Sequence, residues 1–310
     1  MEFMRGICNI RPDPRGCVLT LGNFDGIHLG HQQIISTVRT RARELGVSSA
    51  VLFFEPQPRE YFAHEHTPAR LTTLHEKHRF MSSLGIDKLC CLRFSPELAQ
   101  MEPEDFVTGI LLEKFRLRHL IIGDDFRFGR KRRGSFDLLI RMGAETGQFT
   151  VEQAPSFSLD GQRVSSTRIR EALAQDHLDQ ACRMLGRPYS ITGRIVHGQR
   201  LGRTLGFPTA NISLKRLVAP VSGVYAISAD LGDTRCRGIA NVGTRPTVNG
   251  TTALLEAHLF GFSGDLYGRT VCVELISKIR EERRFADLDA LKDQIARDCQ
   301  TAEELFAGMN

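Results

Sequence analysis

Gly22-Asn23-Phe24-Asp25-Gly26-Ile27-His28-Leu29-Gly30-His31 decides how this chain is read. A β-branched and apolar run at 18–21 precedes it, and a helical pattern with Ile35, Val38, Ala42 and Leu45 on one face follows it. A glycine-punctuated turn between strand and helix is where an α/β protein presents backbone N–H groups to phosphate. Two histidines three residues apart at a helix start can share one face and reach the same anion. A bare His-x-x-His would more often be two solvated side chains after an ordinary turn. The flanking glycines, Asn23 and Asp25 turn the reading toward nucleotide chemistry.

Outward from that turn the rhythm is strand, helix, strand. Strands are expected at 18–21, 50–54, 88–93 and 119–123, and helices at 31–45, 74–84, 103–115 and 136–146. This predicts a doubly wound parallel sheet of Rossmann-like type, with ligands at the carboxyl ends of the strands. A helical pair at 167–174 and 178–185 stops at Gly186-Arg187-Pro188, where glycine ends a helix and proline prevents its continuation. The domain boundary is placed there, giving 1–186 and 187–310. Beyond it, short alternating runs at 190–196, 223–229, 237–242, 253–260 and 271–275 predict a small antiparallel β-barrel. A last helix is expected at 287–298, with Leu288, Leu291 and Ile295 as its buried stripe. The polar, proline-punctuated residues 1–15 carry no apolar signal core.

Composition narrows the partners. The 310 residues are 41% hydrophobic and 25% charged, with a net charge of +5, and no apolar run approaches the ~20 residues of a membrane span. Eight scattered cysteines without a Cys-x-x-Cys pair are read as reduced thiols of a cytoplasmic protein. The modest charge suits polyanionic small molecules. Aromatic residues cluster with carboxylates and glycines instead of interleaving with basic residues, which argues against a nucleic-acid partner. The expected state is a monomer or weak homo-oligomer. His64, His66, His75 and His78 mimic metal-ligand spacing but fall in a polar loop and a helix start, so no zinc is assigned.

Further motifs carry chemistry. Ser165-Ser166-Thr167-Arg168 is either a capped helix start, with Ile169 and Leu173 buried, or a second phosphate cradle of hydroxyls, free N–H groups and a guanidinium. The sequence holds no Walker A pattern, which excludes a P-loop kinase. Phe126 and Phe128, beside Asp125 at the end of a strand, could stack on a flat ring whose N–H groups the carboxylate accepts, and Phe54 could wall the same pocket. All could equally be core aromatics. In the second half, Gly193, Gly198, Gly202 and Arg203 belong to a glycine-rich basic loop suited to phosphates, or to a long hairpin loop. Thr209 and Asn211 are two apart, so an extended segment would point both oxygens at one Mg²⁺. Glu256 lies in an apolar strand and shares a face with His258. It is either an inward general base or an edge-strand glutamate facing water.

The ordered series GNFDGIHLGH (22–31), FFEPQP (53–58), IGDDFRFG (122–129), VSSTRIR (164–170), GRTLGFPTAN (202–211), NVGTRPT (241–247), LLEAHLF (254–260) and DLYGR (265–269) resembles the bifunctional bacterial riboflavin kinase/FMN adenylyltransferase (FAD synthetase) family. Its first half is similar to the HIGH-type nucleotidyltransferases. The resemblance implies phosphorylation of riboflavin by ATP to FMN in the second module, then adenylylation of FMN to FAD in the first, with Mg²⁺ as cofactor. It implies that Gly22, Asn23, Phe24, His28, His31, Ser165, Ser166, Thr167 and Arg168 bind ATP for adenylyl transfer, with Phe54, Phe62, Asp125, Phe126 and Phe128 at the flavin. It further implies that Gly193, Gly198, Gly202, Arg203, Thr209 and Asn211 bind Mg²⁺–ATP for the kinase, and that Glu256 deprotonates the ribityl hydroxyl. An alternative is a single-activity FMN adenylyltransferase whose barrel merely binds flavin. Two positions depart from the family pattern, Gly261 and Ser135, where acidic residues are common.

Overall fold

The computed structural model describes residues 1–63, 67–197, 206–214, 216, 218–247 and 250–309. Runs of Val, Leu, Ile and Phe that are apolar on both faces make the middle of a parallel sheet. Its strands are β1 (Glu2–Arg5), β2 (Cys17–Leu21), β3 (Ser48–Glu55), β4 (Lys88–Arg93), β5 (Leu117–Ile122) and β6 (Thr150–Gln153). They lie in the order β1-β4-β3-β2-β5-β6, and every neighbouring pair is parallel. The chain moves outward from β2 to one side and then resumes at β5 on the other. The switch point, where a crevice opens at the carboxyl ends, is therefore between β2 and β5.

The crossovers are α1 (Leu29–Leu45), α2 (Pro58–Ala63), α3 (Leu74–Ser83), α4 (Pro96–Gln100), α5 (Pro103–Asp105) and α6 (Phe136–Thr146). They cover both faces of the sheet. Val18, Val51, Leu89 and Ile121 pack with Ile35, Val38 and Ala42 on one side, and Leu19, Leu52 and Leu120 pack with Ile110 and Leu139 on the other. One expectation is corrected: the single helix expected at 103–115 is α5 continued by a π-helical stretch, Phe106–Leu112, while the edge strand β1 within residues 1–15 went unread. A hairpin of β7 (Ser158–Leu159) and β8 (Gln162–Arg163) also went unread.

By Cα packing the chain forms two compact units, Met1–Pro68 with Leu74–Ser165, and Ala69–Thr73 with Ser166–Asn310. In the second unit α7 (Ser166–Ala174) and α8 (Leu178–Leu185) precede a closed antiparallel barrel, and Ile169 and Leu173 are fully buried as expected. The barrel strands are β9 (Ser190–Val196), β10 (Ala210–Ser213), β11 (Gly223–Asp230), β12 (Arg235–Thr247), β13 (Gly250–Leu259) and β14 (Thr270–Arg280). Their order is β10-β13-β12-β11-β14-β9. Outside it, α9 (Leu288–Ala307) runs beyond the expected end at 298 and buries Ala302 and Phe306 against Ala226 and Ile239, whereas Leu288 of the expected stripe is exposed and Leu291 and Ile295 are only half-buried. Arg280 Nε donates to both carboxylate oxygens of Asp298 at 3.0 Å, and Nη2 adds a bond of 2.8 Å, so the last strand grips the last helix.

α7 and α8 are tied into this unit by a polar cluster. Tyr225, with no exposed surface, donates to Asp176 at 2.9 Å, and Lys278 donates to the other oxygen of Asp176 at 2.6 Å. Both departures from the family pattern find a local reason. Ser135 caps α6 by accepting from Leu138 N, a task serine does as well as aspartate. Gly261 has φ +64°, a left-handed turn position that a glycine fills without strain.

Candidate active sites

In the first unit, β2 runs straight into a turn held under strain. Phe24 (φ 46°), Gly26 (φ 83°) and Ile27 (φ 44°) all occupy left-handed backbone, which costs the non-glycine pair roughly 1–3 kcal/mol each. Burial holds them there, because Phe24 and Ile27 are 2% and 1% exposed. Gln32 Nε2 donates to Ile27 O at 2.9 Å and locks the exit. The contorted turn delivers His28 to the N-cap of α1, where its Nδ1 accepts from His31 N at 3.3 Å.

The two imidazoles stack with centroids 3.6 Å apart and planes 17° apart, so they do lie on one face as the spacing predicts. Phe24 supports the His31 ring at 5.1 Å. His31 Nδ1 is buried and has no hydrogen-bonding partner among the described residues. Burial above all, then the neighbouring His28 and Lys77, holds the His31 pKa well below its ordinary 6.5. The ring is therefore neutral near pH 7 and is a directed hydrogen-bonding group. Lys77 escaped the sequence reading. Its side chain is entirely buried, with Nζ 5.0 Å from the Phe53 ring centroid. Its charge contributes to lowering the His31 pKa.

At the end of β5, across the switch point, Phe126 and Phe128 stack at 5.6 Å and 20°. Gly134 makes room for the Phe128 ring, and each backbone N–H of that pair donates to the other's carbonyl. Asp125 projects into solvent with 81% of its side chain exposed. Burial raises the pKa of neighbouring Asp124, but its bonds from Ser156 at 3.0 Å and Arg163 at 2.7 Å outweigh this and leave it lowered. The predicted aromatics are one connected set. Phe128 meets Phe106 at 5.6 Å, Phe106 meets Phe54 at 6.4 Å, and Phe54 meets Phe94 at 5.9 Å. Phe94 then meets Tyr61 at 5.1 Å and Phe62 at 5.7 Å. Phe94, Tyr61 and Phe106 were missed, although Phe94 directly follows β4 and the strand-end rule points to it. Phe62 is 64% exposed, a surplus of aromatic surface that core packing does not explain.

Ser165 closes the first unit, whereas Ser166, Thr167 and Arg168 open α7 in the second. Thr167 is exposed and Arg168 half-buried. Of the basic loop that follows Phe126, Arg130 and Arg133 pair with Glu102 at 3.1 and 3.3 Å. Among the described residues no group of three or more His, Cys, Asp or Glu could hold a metal ion. His64 and His66 lie outside the described residues.

In the second unit, alternation along β13 buries Ala253, Leu255, Ala257 and Leu259 and leaves Glu256 and His258 half-buried on the opposite face. Glu256 and His258 therefore share a face, but neither alternative for Glu256 holds as expected. The buried residues, not Glu256, face the core, and β13 lies between β10 and β12, so it is no edge strand. Asn211 of β10 stands directly opposite Glu256, is 6% exposed, and its buried Oδ1 has no partner among the described residues. Thr209 immediately precedes β10 and is half-buried. Gly193 lies where β9 presses on β10, with Ile212 and Ser213 in the space a side chain would need. Gly198, Gly202 and Arg203 lie outside the described residues.

Comparison with known proteins finds two family models along the chain. The FAD synthetase family model matches residues 10–168 and the riboflavin kinase model matches residues 185–306. A bifunctional riboflavin kinase/FMN adenylyltransferase of Pseudomonas fluorescens is 50% identical over 308 residues, covering 99% of this chain and 98% of the relative. One from Escherichia coli (strain K12) is 48% identical with the same coverage. Among solved structures, one described as a macrolide-efflux protein from Streptococcus pneumoniae superposes with a TM-score of 0.80 at 29% identity, covering 96% of this chain and 97% of its own. No helix among the described residues is long and apolar enough to cross a membrane. With a strained His-x-x-His turn in one unit and an Asn–Glu pair on the barrel of the other, the chain belongs to the bifunctional riboflavin kinase/FMN adenylyltransferase family.

Proposed function

We infer that the two activities of this family, phosphorylation of riboflavin to FMN and adenylylation of FMN to FAD, are divided at 186/187. The carrying observation is that the His28–His31 stack lies wholly in the first unit and the Asn211–Glu256 pair wholly in the second. ATP and the flavins are the small-molecule substrates.

For adenylyl transfer, Gly22, Asn23 and Phe24 supply the turn on which triphosphate rests, and His28 and His31 donate to the in-flight phosphate. The family resemblance adds Ser165, Ser166, Thr167 and Arg168 as ATP-binding residues of this step, with Arg168 supplying fixed charge. Attack on the α-phosphorus needs no covalent nucleophile, only positioning and neutralisation of developing charge. Phe54, Phe62, Phe126 and Phe128 receive the isoalloxazine ring, and Asp125 accepts from its N–H. The aromatic chain between them and the exposure of Phe62 support this role.

For phosphoryl transfer, Glu256 takes the proton of the ribityl hydroxyl. Thr209 and Asn211 offer hard, neutral oxygens that fit Mg²⁺ shared with ATP phosphates, and the unpartnered Asn211 Oδ1 supports this fit. When bound, Mg²⁺ neutralises charge on the transferring phosphoryl group. Gly193, Gly198, Gly202 and Arg203 belong to the same ATP site. The eight cysteines are all free thiols, which supports a reducing, cytoplasmic setting, and we read the chain as a monomer or weak homo-oligomer with no nucleic-acid or membrane partner.

The test is to incubate the purified chain with riboflavin, ATP and Mg²⁺ and to separate the flavins. His28→Ala accumulates FMN without FAD. Glu256→Ala blocks riboflavin phosphorylation yet still converts supplied FMN. Loss of both activities in either folded variant overturns the two-site assignment.

A further inference from the structure

Glu256 has a neighbour on its other side. Strand register sets Asn211 opposite Glu256 and Glu256 opposite Asn241 of β12. Directly opposed residues of antiparallel strands point to one face. The three side chains therefore form a row across β10, β13 and β12, roughly 10 Å from end to end at about 4.8 Å per strand.

Asn241 Nδ2 donates to Glu282 Oε1 at 2.9 Å. A carboxylate can only accept, so this contact fixes which way the amide is turned. Asn241 Oδ1 consequently faces away from Glu282, and it is buried with no partner among the described residues. Glu282 is confined in turn, because its carboxylate occupies the space that a side chain at residue 243 would fill and Gly243 leaves open. The row thus ends in two buried amide oxygens, Asn211 Oδ1 and Asn241 Oδ1, on either side of the glutamate.

An in-line transfer places the attacking hydroxyl oxygen and the leaving oxygen on opposite sides of the phosphorus, so the acceptor's carbon chain runs from its hydroxyl away from the ATP. With Mg²⁺–ATP at Asn211 and the hydroxyl at Glu256, the rest of the acceptor extends toward Asn241. We propose that Asn241 is a substrate-binding residue of the kinase step, its Oδ1 accepting a hydrogen bond from a ribityl hydroxyl of riboflavin, and that Glu282 is the positioning residue that holds it. The proposal rests on the reading of Glu256 as the base.

The experiment measures flavin affinity by fluorescence quenching and steady-state phosphorylation, using riboflavin and lumiflavin, which lacks the ribityl chain. Asn241→Ala weakens riboflavin binding about tenfold, the scale of one lost hydrogen bond at 1.4 kcal/mol per decade, and leaves lumiflavin binding and the KM for ATP unchanged. Asn241→Asp also weakens binding, because it sets two carboxylates against each other. Adding Glu282→Gln restores it, since the new amide donates to the carboxylate now at position 241 and leaves that group's other oxygen for the hydroxyl. This rescue separates a positioning role from simple packing, and it stands in for the alanine variant should that fail to fold. Riboflavin affinity unchanged in Asn241→Ala, an equal loss for lumiflavin, or no rescue by Glu282→Gln overturns the proposal. Undiminished phosphorylation by Glu256→Gln would instead remove the reading of the base, whatever the Asn241 variants do.

Discussion

Gly30→Ala should separate stability from adenylyl transfer. A Cβ at residue 30 would sit 3.2 Å from His28 Nδ1, 3.3 Å from its Cε1 and 3.4 Å from Phe157 Cβ, tight enough that the imidazole must yield by a few tenths of an ångström. The N-cap bond from His31 N is already 3.3 Å long, so the displacement forfeits it. Losing a cap costs about 1 kcal/mol, while exchanging glycine for alanine in a helix returns roughly 0.5–1 kcal/mol. The net change is near zero, and Tm should move by no more than about 2 °C. Rate is less forgiving. Misplacement by 1 Å costs about a hundredfold, so a few tenths costs roughly three- to tenfold in FAD formation. The assay is the initial rate of FAD formation from FMN and ATP, with a thermal melt on the same preparation. A wild-type rate would refute the claim that ring position limits catalysis. A drop in Tm beyond about 8 °C would show that the backbone gives way instead of the ring.

Asp298→Ala strips the largely buried guanidinium of Arg280 of its carboxylate and should cost the second unit about 3–5 kcal/mol in urea unfolding, with a coincident midpoint refuting the role assigned to this pair. The depressed pKa of His31 makes a signed prediction. Below about pH 6.5 the unfolded chain takes up a proton that the folded ring refuses. This contribution to stability is thus whole above pH 6.5 and lost as pH falls toward the folded value. Unfolding midpoints from pH 7 to pH 5 should fall less steeply in His31→Gln than in the parent, and parallel slopes would contradict the assignment. Phe62→Ala should leave Tm within about 2 °C, because the ring is 64% exposed, yet raise the KM for FMN several-fold. An unchanged KM removes Phe62 from the flavin face.

How much could be read from sequence depends on whether the signal is local. The bounds of α6 and α8 coincide with the expected helices because Gly147 and Gly186 adopt the left-handed conformation that ends each one, and Ser135 also caps the start of α6. The strand β1 could not be seen, since only Met4 of its residues is buried and no alternation spans so short an edge. The π-helical turn keeps the apolar spacing of an ordinary helix, so Phe106, Val107, Ile110 and Leu111 gave no sign of it. Alternation put Glu256 and His258 on one face, but which face meets the core is decided by packing from other strands. The partners Asn241 and Glu282 come from separate elements brought together only by barrel register. Likewise Gly186-Arg187-Pro188 marks where a helix stops, not which unit the helical pair packs with. Asp176 settles that through Tyr225 and Lys278, at long sequence separation.

The placement of β1 also has a meaning in time. Its residues are synthesised well before Lys88–Cys91, the segment with which they pair. At 5–20 residues per second, their partner emerges on the order of ten seconds later. During that interval the N-terminal segment has no sheet to join, and β2 and β3 can pair first and define the edge that β4 extends and β1 finally closes. Residues made before β2, β3 and β4 are thus among the last to enter the sheet.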